Sequence, residues 1–154
     1  MPQCTVLTPI GPLTVEEHGG AIISVRLTDL IPSVPETSLL RQAEQELMSY
    51  FSGTLQRFTL PVSLHGTPFQ CRVWQEAMAI PYGETRTYGQ LAAAIGEPGS
   101  ARAVGGALHR NPLLLIVPCH RILGADGSLT GFGCGIQRKE FLLTLEKKNL
   151  PRFD

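Results

Sequence analysis

Residues 111–121 read NPLLLIVPCHR, and the interpretation of the second half of the chain depends on this stretch. The five apolar residues at 113–117 predict a buried strand or extended segment. Pro118 ends it, because proline cannot donate to a β-ladder. Cys119 and His120 therefore come together where a buried segment ends, and we expect functional side chains at this place.

Cys119 is a candidate nucleophile because His120 and Arg121 follow it directly. A free thiol with a pKa of about 8.5 is only a few per cent ionised at neutral pH. An imidazole that accepts its proton changes this, and an acid usually orients that imidazole. The alternative is that Cys119 is a small core residue beside an apolar run. The neighbouring His and Arg weaken this alternative, because burying both side chains requires partners.

Residues 136–149 have the spacing of a final helix, and this helix contains a candidate acid. Leu142, Leu145 and Glu146 fall at positions i, i+3 and i+4, so Glu146 lies on the apolar stripe. A buried carboxylate without a hydrogen-bonding or charged partner would destabilise the fold. Glu146 is therefore either buried with a partner or a solvated charge at the edge of the stripe.

Two capping boxes predict helix starts upstream of the cysteine. Thr67 to Gln70 starts a helix whose inner stripe is Phe69, Val73 and Ala77. Thr87 to Gln90 starts a short helix that ends at Gly96.

Pro98-Gly99-Ser100 then turns the chain, and we expect Ser100 to cap a further helix over 101–109. Two short helices joined by a tight turn predict a helix-turn-helix. Gly105 and Gly106 cost that second helix roughly 1 kcal/mol each relative to Ala, so a close neighbour must require them. Another helix, a DNA groove or an extruded nucleotide would each do so.

The first third of the chain has the pattern of a small sheet. Apolar and polar residues alternate over 5–8, 13–16 and 22–27, between glycine-containing turns, which predicts an antiparallel meander. Helical spacing follows from Thr37 to Gly53. The proline-containing segment 61–68 is interpreted as a linker, so we predict one domain over residues 1–65 and another over 66–154.

Composition narrows the classes of protein that are possible. The chain has 154 residues, of which 43% are apolar and 17% charged, as in an ordinary globular protein. The sequence has no 18-residue apolar window, and its first residues lack a basic flank followed by an apolar stretch, so we expect neither a membrane span nor a secretory signal. We expect a cytoplasmic protein, or a nuclear one in a eukaryote. Net charge is −3 over residues 1–65 and +3 over the rest, which hints at an anionic partner for the second half.

The four cysteines lie at 4, 71, 119 and 134, and we interpret them as reduced thiols. They form no Cys-x-x-Cys pair, and we predict no metal. A zinc site, if there were one, would be structural and would use Cys4, His18 or His65.

The tetrad Pro118-Cys119-His120-Arg121, after residues 101–107 (ARAVGGA) and Asn111-Pro112, resembles the O6-alkylguanine-DNA alkyltransferases. The match extends from about Phe69 to Glu146. It implies an α/β (α+β) fold with an N-terminal ribonuclease-H-like domain, a small antiparallel sheet plus helix. The C-terminal domain would be mostly helical, with the helix-turn-helix and the active-site cysteine.

The resemblance also implies an activity. The protein would flip O6-alkylguanine, and also O4-alkylthymine, out of duplex DNA and transfer the alkyl group irreversibly to its own cysteine. Its partner would be double-stranded DNA containing O6-alkylguanine. We expect a monomer with no cofactor, no membrane association and no obligate protein partner.

Residue roles follow from positions that match the family motifs. Cys119 would be the nucleophile, His120 its water-mediated base and Glu146 the residue that orients His120. Asn111 would brace the active-site turn. Tyr88 would assist base flipping and donate a proton or a hydrogen bond to the departing guanine. The other expected DNA contacts are Thr87, Ser100, Ala101, Arg102, Gly105, Arg110 and Arg121, with Arg102 filling the vacated stack. The alkyl pocket would comprise Tyr88, Ile122, Phe132, Gly133, Cys134 and Lys139.

Two positions depart from the family pattern. Phe132 stands where a tyrosine is common, and Cys134 where a glycine is usual. We expect Cys134 to pack as a small hydrophobe near the pocket, with a disulfide to Cys119 under oxidation as the alternative.

Three other functions remain open at this point. A related protein that only binds the flipped base would lack Cys119. A Cys-His-Glu hydrolase would regenerate its thiol in each cycle. A helix-turn-helix transcription factor would carry base-reading side chains on its second helix, whereas residues 101–109 are mostly Ala and Gly.

Overall fold

The computed structural model describes residues 1–129 and 135–150. The described chain forms two compact units. The first comprises Met1–His65 together with Pro112–Leu114, and the second comprises Gly66–Asn111 and the chain from Leu115 onward. The predicted pocket residues Phe132, Gly133 and Cys134 lie outside the described residues.

The first unit is a three-stranded antiparallel sheet with one helix. Strands β1 (Gln3–Thr8), β2 (Gly11–His18) and β3 (Ala21–Leu27) pair in the order β1-β2-β3, which confirms the predicted meander. Helix α1 spans Ser38–Phe51, and the side chain of Thr37 caps it. The core of this unit consists largely of aliphatic side chains from the sheet and α1, among them Leu13, Val15, Ile22, Val25, Leu40 and Leu47.

A short segment from later in the chain also belongs to this unit. The backbone amide of Val25 donates to Pro112 O at 2.9 Å, and that of Leu114 donates to Val25 O at 3.0 Å. The sequence-based boundary had placed this segment with residues 66–154. Residues 113–117 are all buried, as predicted. They do not form one strand, because Leu115 adopts a φ of 74° and turns the backbone.

The described residues of the second unit form four α-helices and two very short strands. The helices are α2 (Pro68–Met78), α3 (Tyr88–Ala94), α4 (Ala101–His109) and α5 (Ile136–Lys148). Strands β4 (Arg86–Thr87) and β5 (Ile122–Leu123) pair in parallel, and a 3₁₀-helix spans Cys119–Arg121.

Helix α2 begins at the predicted capping box of Thr67 and Gln70. Its predicted inner stripe was partly wrong. Phe69 is only half-buried, whereas Trp74 is buried and donates from Nε1 to Ala107 O at 2.8 Å. The hydrogen bond explains the difference, because it lets the larger indole occupy the space between α2 and α4.

Helices α3 and α4 form the predicted helix-turn-helix, and they pack against each other. Thr87 and Gln90 make the expected capping box of α3. The expected cap at Ser100 is wrong, because its hydroxyl donates to Glu97 O at 2.6 Å instead of accepting from an amide of α4. Within residues 1–129 and 135–150, no helix is both long and apolar enough to cross a membrane.

Candidate active site

Cys119 is the first residue of the 3₁₀-helix that follows Pro118, and it is half-buried. The amide of Cys119 donates to Val117 O at 2.8 Å, which holds the turn tightly. The side chain of Asn111 donates to the same carbonyl at 2.9 Å. The same Nδ2 lies 3.4 Å from the Cys119 sulfur. Asn111 thus ties the turn together and places a donor at the sulfur, where it favours the thiolate over the thiol.

The carboxylate of Glu146 lies at the centre of a buried hydrogen-bond network. One oxygen accepts from the Gly83 amide at 3.1 Å and from Nε of Arg121 at 2.8 Å. The other accepts from Nη2 of Arg121 at 2.9 Å and lies 2.6 Å from Nε2 of His120. His120 and Glu146 are both buried. Glu146 is therefore buried with partners, and the solvated-edge alternative is wrong.

Burial and charge set the protonation states of this network. Burial disfavours the ionised form of Glu146, but the hydrogen bonds from His120 and Arg121 and the positive charge of Arg121 outweigh it and hold the pKa well below its usual range. Burial lowers the pKa of His120 against the opposing effect of Glu146, and the Arg121 charge lowers it further. At neutral pH the pair is thus a carboxylate and a neutral imidazole whose Nε2 donates to Glu146. Nδ1 is then the basic nitrogen.

Position 83, whose backbone amide donates a hydrogen bond to Glu146, requires a glycine. It adopts a φ of 79°, which L side chains rarely adopt, and an added Cβ would lie 2.5 Å from a methyl carbon of Leu150. Neither this amide nor its role was predicted from the sequence. The glycine in the turn at 81–84 was a possible signal for a special backbone position.

Arg121 is not placed to contact DNA, and that expectation is wrong. The residue is buried, and its guanidinium donates to both oxygens of Glu146 and from Nη1 to Ile80 O at 2.7 Å. The ring of Tyr82 covers it at 5.6 Å. Arg121 was expected among the DNA contacts because spacing alone does not show a buried ion pair.

Two expected pocket residues also have different positions. Ile122 has no exposed surface, and its carbonyl accepts a hydrogen bond from Nζ of Lys139, which is itself buried. Neither side chain therefore lines an open pocket, which corrects the expectation. Burial lowers the pKa of Lys139, and the negative charge of the Cys119 thiolate opposes this effect. The same attraction stabilises the thiolate.

A second feature of this unit is a cavity of about 540 Å³ beside α4. Tyr88 and Arg102, both expected at the DNA, lie on its wall together with Ala101 and Gly105. The other lining residues, which the sequence analysis did not identify as functional, are Gly89, His109 and Ala125. The cavity is thus lined by an aromatic ring, small residues and basic side chains, which suits a planar ligand with an anionic backbone.

The glycines of α4 are not explained by packing inside the described structure. A Cβ added at Gly105 would make an ordinary contact with the Tyr88 ring at 3.7 Å. A Cβ added at Gly106 would meet nothing within 4 Å. Of the three expected causes, close packing against another helix therefore receives no support. The remaining expected DNA contacts lie at the surface around this helix: Arg110 is exposed, while Thr87 and Ser100 are half-buried.

The structure gives no support to a metal site among residues 1–129 and 135–150, where no group of three or more His, Cys, Asp or Glu side chains could hold an ion. Cys4, a candidate zinc ligand, is buried in the first unit, where burial and the charge of Glu44 raise its pKa to about 11. Such a thiol is protonated at neutral pH and behaves as a core residue.

Family models match both halves of the chain. Residues 4–64 match the ribonuclease-like domain of 6-O-methylguanine DNA methyltransferase, and residues 68–148 match its DNA-binding domain. The chain belongs to the 6-O-methylguanine DNA methyltransferase family, which confirms the resemblance found in the sequence.

Individual relatives agree with this assignment. The methylated-DNA–protein-cysteine methyltransferase of Mycobacterium tuberculosis is 48% identical over 153 residues, covering 96% of this chain and 93% of that protein. Its counterpart from Mycobacterium leprae is 48% identical over 146 residues, covering 91% and 88%. The solved structure of Mycobacterium tuberculosis OGT in complex with DNA has a TM-score of 0.87 at 47% identity, covering 96% of this chain and 93% of that one.

Proposed function

We propose that this protein repairs DNA by transferring the O6-alkyl group of guanine to Cys119. The observation that carries the proposal is the arrangement of Cys119 on a braced turn, directly before a buried His120 that is held by Glu146. The family and the named relatives support the activity and DNA as the partner. Duplex DNA with O6-alkylguanine as the specific substrate, action as a monomer and a cytoplasmic location stay predictions.

The reaction exchanges one bond for another. The Cys119 thiol gives up a proton toward the basic nitrogen of His120 through a water molecule. The thiolate attacks the alkyl carbon, so that a sulfur–carbon bond forms while the carbon–O6 bond breaks. The departing guanine takes up one proton, for which the Tyr88 hydroxyl beside α4 is the proposed donor. The thioether is stable, so each chain reacts once.

The surroundings of the thiol fit this chemistry. The Asn111 donor near sulfur and the buried Lys139 cation both favour the thiolate, which is the attacking form. The neutral His120 is ready to accept a proton because Arg121, rather than His120, balances the charge of Glu146. The target carbon is inaccessible in stacked DNA, so the base must leave the helix. The cavity lined by Tyr88 and Arg102 is the proposed place for it.

Intact-mass measurement after incubation with a methylated duplex tests the proposal. We expect one methyl group per chain, mapped to the peptide that contains Cys119, and none in Cys119→Ser. Cys71→Ser is the matched control, because Cys71 is also a half-buried thiol of the second unit. A methyl group that maps to another residue, or product formed in excess of protein, would contradict the proposal, and the second result would indicate a hydrolase.

A further inference from the structure

The cavity beside α4 has two basic side chains on its wall. Arg102 and His109 lie seven positions apart, with Gly105 between them. Seven residues are about two helical turns, so the two side chains share one face and lie about 10 Å apart along the axis. Arg102 already has a proposed contact with DNA, whereas His109 has none.

The cavity wall carries the permanent positive charge of Arg102. Its lining residues, all within the described part of the chain, include no acidic side chain. The nearest acidic residue in sequence is Asp126, next to the lining residue Ala125. Its carboxylate accepts a hydrogen bond from the Ser128 amide at 3.0 Å. Arg110 follows His109 and is exposed. A protonated His109 would therefore face an anion-attracting space.

Helices α2 and α3, which pack against α4, add no opposing charge to this wall. Helix α3 has no acidic or basic residue. Helix α2 contacts α4 through Trp74 and Ala107. Its charged residues are engaged elsewhere, since Arg72 pairs with Glu97 at 3.3 Å and Glu76 lines a separate cavity.

His109 is the last residue of α4. Histidine is the side chain that ordinarily changes its charge between pH 5 and 8. A phosphate contact made by this residue would consequently depend on pH in the neutral range, unlike one made by Arg102.

We propose that protonated His109 binds a backbone phosphate of the strand whose base occupies the α4 cavity, so that affinity for duplex DNA rises as the pH falls. This inference rests on the proposed function, because it places the extruded base in that cavity. It adds a pH-dependent contact to the permanent charge of Arg102.

Duplex affinity measured at pH 6 and pH 8, each over a range of salt concentrations, tests the inference. For the wild-type chain we expect several-fold tighter binding at pH 6. The slope of log affinity against log salt should be steeper there by about 0.9, the value for one additional phosphate contact. His109→Gln should lose both differences, and His109→Arg should bind at pH 8 as the wild type does at pH 6. His18→Gln, an exposed histidine of the first unit, is the matched control and should behave as wild type.

An unchanged pH dependence in His109→Gln would overturn the inference, as would the absence of any pH dependence in the wild type. Reaction with free O6-alkylguanine separates this failure from failure of the proposed function. His109→Gln should slow reaction with the duplex at pH 6 more than reaction with the free base, since the base has no phosphate. Equal losses on the two substrates would overturn the inference by showing that His109 acts on the reacting base. If the wild-type chain gains no alkyl group from either substrate, the proposed function fails instead.

Discussion

Arg121 and Glu146 form a two-pronged ion pair in the interior of the second unit, with Nε to Oε1 at 2.8 Å and Nη2 to Oε2 at 2.9 Å. Their side chains are 8% and 1% exposed. The pair fixes the carboxylate that holds His120, so it links the stability of the fold to the geometry of the site.

Arg121→Met should destabilise the protein by about 3–5 kcal/mol, because it leaves the carboxylate of Glu146 buried without its charge partner. Urea unfolding followed by circular dichroism measures the loss. Arg86→Met is the matched control, since Arg86 pairs with Glu84 at the surface, and its loss should cost about 0–1 kcal/mol. Equal losses of unfolding free energy in the two variants would show that the buried pair contributes no more to stability than the surface pair.

His120 should make the protein less stable as the pH falls below about 6.5, the ordinary pKa of histidine. Its pKa in the folded state is lowered by burial, so the unfolded chain takes up the proton first and unfolding is favoured in acid. The effect is at most about 1.4 kcal/mol per pH unit. Unfolding free energies between pH 5 and 7.5 should therefore fall more steeply in the wild type than in His120→Gln. The exposed His65→Gln should follow the wild type, and a His120→Gln curve parallel to the wild type would contradict the prediction.

Arg102→Ala should slow repair of a duplex far more than reaction with the free alkylguanine base. Only the duplex has a vacated stack that an inserted side chain must fill. Single-turnover rates on the two substrates give the comparison, with Arg41→Ala in α1 as an exposed arginine control. Similar losses on both substrates would remove Arg102 from the proposed flipping role.

Gly106→Ala should raise stability and lower activity on DNA. The helix gains about 1 kcal/mol from the better helix former, and the new methyl group meets nothing within 4 Å in the protein. If α4 enters a DNA groove closely, the same methyl group obstructs it, so duplex repair should slow several-fold while reaction with the free base is unchanged. Thermal unfolding and single-turnover rates measure the two effects. Unchanged duplex repair would show that this glycine does not face DNA.

Local signals in the sequence were sufficient to predict most elements of the fold. The meander, the helix from Thr37 and the two capping boxes depend on neighbours along the chain, and the structure contains each of them. The prediction for Ser100 was wrong because a serine before a helix has a second option, a hydrogen bond back to a carbonyl, and the turn geometry decides between them.

The site was predictable only in part, because its key contacts join distant parts of the chain. Motif and periodicity identified Cys119, His120 and Glu146, but not the environment of Arg121. That environment depends on Ile80 and Tyr82, about 40 residues earlier in the chain. No periodicity in 111–121 shows that an arginine beside a functional histidine is buried against them. His109 was overlooked for a similar reason, since only the folded helix places it on the same cavity wall as Tyr88.

The acceptor that unites the site comes late in the chain. Glu146 lies 26 positions after His120 and 63 after Gly83. Translation therefore makes Cys119 and His120 before the helix that orients the imidazole. The arrangement of thiol, imidazole and carboxylate is complete only when α5 has packed against the 3₁₀-helix that carries Cys119 and His120.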